Sequence, residues 1–248
     1  MKTLFKKLAS VILSIGVSAF SMCCGTFGFS SDTHQYTTTR GIEICNQVMK
    51  DTKSLYNKEA IDVLYEFCTK PDEDEIEGAF KVHFYNPATE KNFNGEDDSA
   101  LYRFKMHYDN ALNLYKEGKI TDALSELGRA LHFLEDMNTP VHTNNQSFLD
   151  STIDVFLHTS FEKRCVEIQS EVVSKMLVRE FDYYCNNSIE QIGKSSAFLA
   201  NDNFYALYKQ KLPRDNIAKN SIENAQKAVA GVLYKFFLFT QQLLKSKI

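Results

Sequence analysis

Tryptophan is absent from this chain, and proline and glycine are scarce, at four and ten among 248 residues. Low Gly and Pro beside abundant Leu, Ala, Lys and Glu point to an all-α chain. No segment shows convincing strand-type alternation. An excess of positive charge is also missing. The formal charge is −4, which leaves no basic footprint for nucleic acid. No internal repeat or low-complexity tract occurs. No two cysteines stand at C-x-x-C spacing, so cysteine does not read as a zinc ligand. What is present is 44% hydrophobic residues, enough for one well-cored domain or two.

The only long apolar stretch is at the start. Lys2, Lys6 and Lys7 form a positive n-region, and Leu8 to Phe20 an apolar h-region followed by small residues. That pattern reads as a secretory signal over residues 1–28, with cleavage between 21 and 28. The run is short for a membrane anchor and has no stop-transfer flank. Cys23 or Cys24 as a lipidated N-terminus is the alternative, although Phe20-Ser21-Met22 makes a poor lipobox. Signal removal takes away three lysines and no acids, which moves the charge from −4 to near −7. A secreted location follows. Cys45, Cys68, Cys165 and Cys185 remain, and four cysteines in an exported chain allow three disulfide pairings.

The mature part, residues 29–248, reads as one α-helical bundle domain. Helical periodicity predicts helices over Thr33–Met49, Lys58–Cys68, Ala100–Lys116, Leu149–Met176, Asn187–Tyr208 and Ile217–Leu244. Lys70 to Asp98 loses the pattern and gathers Asp, Glu, Asn and Pro, so it reads as a long acidic loop at the mouth of the bundle. Such loops are usually functional or disordered. After a pause at Glu117-Gly118-Lys119, Thr121 is the expected N-cap of a further helix. Ile120, Leu124, Leu127, Leu131 and Leu134 are its apolar stripe, and Pro140 ends it.

On that helix His132 and Asp136 are four residues apart, which places both on one face with Cβ atoms about 5–6 Å apart. His158 and Glu162 repeat the pair. His142, just past Pro140, turns toward the same cavity and completes a His₂Glu set, one of the open-site zinc combinations. A lone histidine beside an apolar stripe is more often a satisfied core residue; two such pairs plus His142 weigh against that reading. Glu43, Glu126, Glu135 and Glu167 read as solvated faces, and His107 as structural.

The run Leu127-Gly128-Arg129-Ala130-Leu131-His132-Phe133-Leu134-Glu135-Asp136-Met137-Asn138-Thr139-Pro140-Val141-His142 resembles the helix motif of the bacterial zinc-dependent phospholipase C family. That motif is roughly Leu-Gly-x-x-x-His-[Tyr/Phe]-x-x-Asp-x-x-x-Pro-x-His, and every position is filled. Asp32-Thr33-His34 with Arg40-Gly41-Ile42 resembles the family's N-terminal histidine helix. Pro71-Asp72 and His83-Phe84-Tyr85-Asn86-Pro87 resemble its loop ligand pair. Asn220 to Tyr234 resembles its closing helix. The likeness covers about residues 32 to 245.

The resemblance implies an all-α bundle shared with the fungal single-strand nucleases, and up to three zinc ions. Asp72, His83, His132 and Asp136 would hold one. His142, His158 and Glu162 would hold a second. His34, a bridging Asp136, and the amine and carbonyl of the mature N-terminus would hold the third. Family members usually begin with Trp, which this chain lacks, but any residue supplies an amine and a carbonyl. Asp72 lies slightly closer to its histidine than is typical, with Asp74 and Glu75 as substitutes.

The activity implied is hydrolysis of phosphatidylcholine-like phospholipids to diacylglycerol and a phosphorylated head group. Zinc ions about 3.5–4 Å apart can clamp a phosphoryl group. Asp72 would be ligand and catalytic base, with Phe80 and Phe93 against the head group. The partner expected is a phospholipid or membrane surface, not nucleic acid, and the protein a monomer. The sequence ends soon after the closing helix, so no calcium-dependent lipid-binding β-sandwich and no calcium requirement are expected. Two alternatives stay open: a zinc-dependent nuclease or nucleotidase of the same fold, and a secreted zinc-binding protein without catalysis.

Overall fold

Ten α-helices form among the described residues of the computed structural model, which are 30–49, 56–144, 152–209 and 214–246. They are α1 Ser31–Val48, α2 Lys58–Phe67, α3 Pro71–Asp74, α4 Glu77–Phe80, α5 Ala100–Lys116, α6 Ile120–Met137, α7 Thr152–Ile168, α8 Val178–Asn186, α9 Ile189–Tyr208 and α10 Arg214–Lys245. Short 3-10 turns stand at Lys81–His83, Pro140–His142 and Gln169–Glu171. The fold is all-α. Among the described residues an isolated bridge between Asn86 and Lys91 is the nearest approach to a sheet. No described helix is long and apolar enough to cross a membrane. The signal-peptide segment lies outside the described residues.

Capping sets several of these boundaries. The Asn57 side chain accepts from Ala60 N at 3.0 Å and starts α2. Ser188 and Gln191 form a reciprocal capping box at the start of α9. Gly118, at φ +82°, ends α5 in the left-handed region that glycine enters without penalty, and the short link returns the chain along α6. The expected Thr121 cap is corrected: α6 begins at Ile120, so the cap position falls two residues earlier, on Lys119, which makes no side-chain cap.

The predicted loop over Lys70–Asp98 is also corrected. It contains α3, α4 and a 3-10 turn. Pro71 occupies a first-turn position with its φ already helical, and Asp72, Glu73 and Asp74 sit at the positive end of the helix dipole. The predicted Leu149–Met176 helix is shorter, ending at Ile168, and α8 was not foreseen. The Glu180 side chain nucleates α8 by accepting from Leu177 N at 2.6 Å.

The largest apolar cluster among the described residues is built around α6. It includes Leu124, Leu127, Leu131, Leu134, Phe104 and Phe236. Ile120, the first residue of the predicted stripe, stays 39% exposed at the helix start. The second cluster joins Val141 to Leu157, Phe161 and Cys165 on α7 and Ile217 and Ile222 on α10. None of the three disulfide pairings that the sequence allows is present. Cys45, Cys68, Cys165 and Cys185 are all unpaired. Cys45 and Cys165 pack in different clusters, and burial pushes both thiols up, which keeps them unreactive.

Gly128 explains how α2 comes so close to α6. A Cβ there would stand 2.9 Å from Phe67 Cβ and 3.3 Å from the Cys68 backbone nitrogen. Gly128→Ala therefore forces the end of α2 outward and should destabilise the protein by about 1–3 kcal/mol. The check is the urea midpoint; an unchanged midpoint would mean the crossing has slack.

Candidate metal centre

Eight buried or nearly buried side chains from six parts of the chain converge beside the C-terminal half of α6. His132 and Asp136 come from α6 itself, one turn apart. His34 comes from α1, Asp72 from α3 and His83 from the following 3-10 turn. His142 follows Pro140, and His158 and Glu162 come from α7. Their ligand atoms fall into three groups: Asp72 with His83 and His132, His34 with His132 and Asp136, and His142 with His158 and Glu162. Within each group these atoms lie within 4.8 Å of one another.

Backbone carbonyls orient three of the rings. His132 donates from Nδ1 to the Cys68 carbonyl at 2.8 Å, which is the purpose served by the close crossing at Gly128. His83 donates from Nε2 to the Glu75 carbonyl at 3.1 Å. His142 donates from Nδ1 to the His83 carbonyl at 2.9 Å, while Tyr85 N returns a bond to the His142 carbonyl at 2.9 Å. A carbonyl only accepts, so each of these nitrogens carries a proton and the other ring nitrogen faces the cluster. This is the outer-shell pattern that prepares imidazole to bind a metal.

Asp136 stands at the centre. Its Oδ2 is 2.9 Å from His83 Nδ1 and 3.3 Å from His132 Nε2. Its Oδ1 is 3.6 Å from His142 Nδ1 and 3.8 Å from His34 Nε2. Asp72 Oδ1 lies 3.6 Å from His132 Nε2 and 3.9 Å from His83 Nδ1. In the other set Glu162 Oε1 is 2.6 Å from His158 Nε2 and 3.5 Å from His142 Nε2. Four ligands at about 2.0–2.1 Å from a tetrahedral zinc stand about 3.3 Å apart. The first set straddles that spacing.

Both oxygens of Asp72 and Oδ1 of Asp136 are buried without a hydrogen bond. An unsatisfied buried acceptor costs about 1–3 kcal/mol, and more when it is charged. A cation among these oxygens would remove that penalty, and the imidazole and carboxylate donors suit zinc. The residues therefore fit the metal that the sequence suggested.

The electrostatics fit a strongly coupled site. Burial pushes the Asp72 carboxyl up to about 6, against the pull of His132 and His83. Burial likewise brings His158 down to about 4. Burial disfavours the His132 cation too, but the Asp136 and Asp72 carboxylates outweigh it and raise that imidazole to about 10. Burial alone would raise Asp136; the His132 and His142 imidazoles and hydrogen bonds from His132 and His83 hold it well below the usual range.

Asp74 and Glu75 do not face the cluster, so neither takes the place of Asp72. Arg129 binds Asp74, and Glu75 pairs with Arg103, Arg129 and His107. His107 bridges Glu75 and Glu126 and stacks on Phe133 at 5.7 Å, apart from the eight residues. Glu126 is accordingly not a free solvated acid. Glu135 needs a larger correction: it is fully buried and bonded to His34 and Thr38. Its sequence signal was its position on the buried face, four residues after Leu131 and seven after Gly128.

The aromatic neighbours are placed as follows. The Phe80 ring is 5.9 Å from His83, and its backbone holds a left-handed φ of 65°. Phe93 packs edge-on against Phe84 at 4.8 Å. Phe84, which the sequence reading left without a role, stacks on His142 at 4.6 Å.

Glu75 suggests a pH test. Burial would raise its carboxyl, but His107, Arg129 and Arg103 bring it down to about 2. Its contribution to stability is therefore present above the unfolded value of about 4.5 and is lost as pH falls from there toward 2. The His107 imidazole is raised: burial opposes its charge, but bonds to Glu126 and Glu75 prevail. Its contribution is complete below its unfolded value of about 6.5 and fades as pH rises above it. In metal-free protein the stability gap between wild type and Glu75→Gln should be widest between about pH 4.5 and 6.5, as urea midpoints would report.

No protein-family model matches the chain. Among curated proteins it is similar to phospholipase C of Paraclostridium bifermentans, 26% identical over 232 residues covering 82% of this chain and 58% of the relative. Phospholipase C of Clostridium haemolyticum is 23% identical over 268 residues, covering 95% of this chain and 66% of the relative. Both relatives are bacterial phospholipases C, and it is to proteins of that kind that this chain is similar. It spans less than two thirds of the length of these two. Among solved structures, alpha toxin from Clostridium absonum superposes with a TM-score of 0.69 at 22% identity, covering 85% of this chain and 63% of the toxin. Alpha-toxin of an avian Clostridium perfringens strain gives 0.69 at 22%, covering 88% and 65%. These toxins share the helical fold described above.

Proposed function

We propose that this chain is an exported zinc phosphodiesterase that hydrolyses phosphatidylcholine-like phospholipids to diacylglycerol and a phosphorylated head group. The observation that carries the reading is the buried convergence of five imidazoles and three carboxylates, two of the latter with unsatisfied oxygens. The curated relatives named phospholipase C support the reaction class. Asp72, His83, His132 and Asp136 hold one zinc. His142, His158 and Glu162 hold a second. His34 and Asp136, with the amine and carbonyl of the processed N-terminus, hold a third. Zinc bound there would supply Lewis acidity, neutralising phosphoryl charge and making water a stronger acid.

Asp72 is the general base. Its carboxylate takes a proton from the attacking water, whose oxygen bonds to phosphorus as the bond from phosphorus to the glycerol oxygen breaks. That proton then returns to the departing diacylglycerol oxygen. His83 and His132 flank Asp72 Oδ1 and keep the side chain turned inward. Phe80 and Phe93 contact the quaternary ammonium of the head group, a contact worth about 0.5–2 kcal/mol.

The test uses processed protein with zinc, offered lecithin and single-stranded DNA in parallel. Release of phosphorylcholine from lecithin, abolished by chelator and restored by zinc, is the expected result. Preferential DNA cleavage would favour the nuclease, and zinc binding without cleavage of either would favour a non-catalytic role.

A further inference from the structure

Glu135 is an acidic side chain with no contact to solvent, one residue before Asp136 on α6. Consecutive helical residues point about 100° apart, so the two carboxylates reach α1 from different sides. His34 is held between them. Its Nδ1 lies 2.5 Å from Glu135 Oε2, and its Nε2 lies 3.8 Å from Asp136 Oδ1. Thr38, one turn after His34 on α1, donates its hydroxyl to Glu135 Oε1 at 2.8 Å. One carboxylate thus grips two side chains four residues apart on the neighbouring helix.

We propose that Glu135 is a positioning residue for His34, fixing the ring so that Nε2, not Nδ1, is presented to a metal shared with Asp136. The inference rests on the metal reading above. Three of the other histidines are anchored by backbone carbonyls, which no substitution removes. His34 is anchored at Nδ1 by a side chain. In the zinc-loaded protein, Nε2 faces the metal and Nδ1 carries the proton that Glu135 accepts. Thr38, bonded to the other carboxylate oxygen, restrains Glu135 against rotation. The ring also stacks on His132 at 4.0 Å, so a tilt of His34 would disturb a ligand of the adjoining set.

The experiment compares processed wild-type protein with Glu135→Gln and Glu135→Leu. Zinc content is measured by elemental analysis and zinc affinity by competition with a chelator. Glutamine keeps an acceptor and the side-chain volume; leucine keeps neither acceptor nor charge. The weakest zinc should bind about 10–100-fold less tightly in Glu135→Leu, with Glu135→Gln in between. Zinc at His142, His158 and Glu162, a group that contains none of these residues, should be unaffected. Nitrogen-15 NMR of the zinc-loaded wild type should show the His34 proton on Nδ1. Thermal melts of the zinc-free proteins identify a variant that does not fold; should Glu135→Leu be one, Glu135→Gln and the NMR assignment decide. Unchanged affinity in the folded variants, or a His34 proton on Nε2, overturns the inference while leaving the metal reading intact. Wild-type protein that holds no zinc overturns both.

Discussion

Asp72→Asn is expected to retain the helical fold and most of its zinc while losing turnover by about 10²–10⁴-fold, the range of a general base. Asparagine has the shape of aspartate and can still offer one oxygen toward His83 and His132, which stand 3.9 and 3.6 Å from Oδ1. It cannot take a proton from water at neutral pH. The variant also removes a carboxylate that burial disfavours, so its stability without metal should equal or exceed that of wild type. Loss of kcat with little change in zinc content separates a base from a mere ligand. Near-normal lecithin hydrolysis by this variant would reject the role.

Removing zinc is the second large effect. The unsatisfied oxygens of Asp72 and Asp136 and the buried rings around them have no cation to offset them in the stripped protein. Zinc present at 1,000 times its dissociation constant stabilises the folded chain by about 4 kcal/mol. For a chain of this size that corresponds to a fall in Tm of about 8–16 °C on chelation. Activity should vanish over the same titration and return with zinc. The effect should grow as pH rises, because ligand imidazoles must shed protons before binding. A chelated protein with an unchanged Tm and full activity would remove the metal from the mechanism.

The fold was legible where one force dominated. The stripe from Leu124 to Leu134 and the Ala100–Lys116 helix follow from apolar periodicity, and the break at Gly118 from its backbone freedom. The i, i+4 pairs on α6 and α7 were visible as spacing, because one helical turn alone brings each pair together. His34, His83 and Asp72 carry no such signal. They meet the α6 pair only through the packing of α1 and the turns around Pro71 and His83, and only the resemblance suggested them. The segment after Lys70 was misread because Pro and Asp favour loops and helix starts alike; Pro71 and three acids make a first turn. Glu135 was misread because a charged residue is expected outside. Its partners, His34 and Thr38, lie about a hundred residues away in sequence, and periodicity is blind to them. The cysteines, which composition allowed as a disulfide framework, stay free: Cys45, Cys68 and Cys165 are buried as apolar groups, and Cys185 is half-buried without a partner cysteine.

The most direct test is anomalous diffraction at the zinc edge from crystals of the processed protein. Zinc peaks should stand among Asp72, His83, His132 and Asp136, and among His142, His158 and Glu162, at about 2.0–2.2 Å from the ligand atoms. Fully active protein whose crystals show no anomalous density at either place would contradict the metal centre and the hydrolytic mechanism built on it.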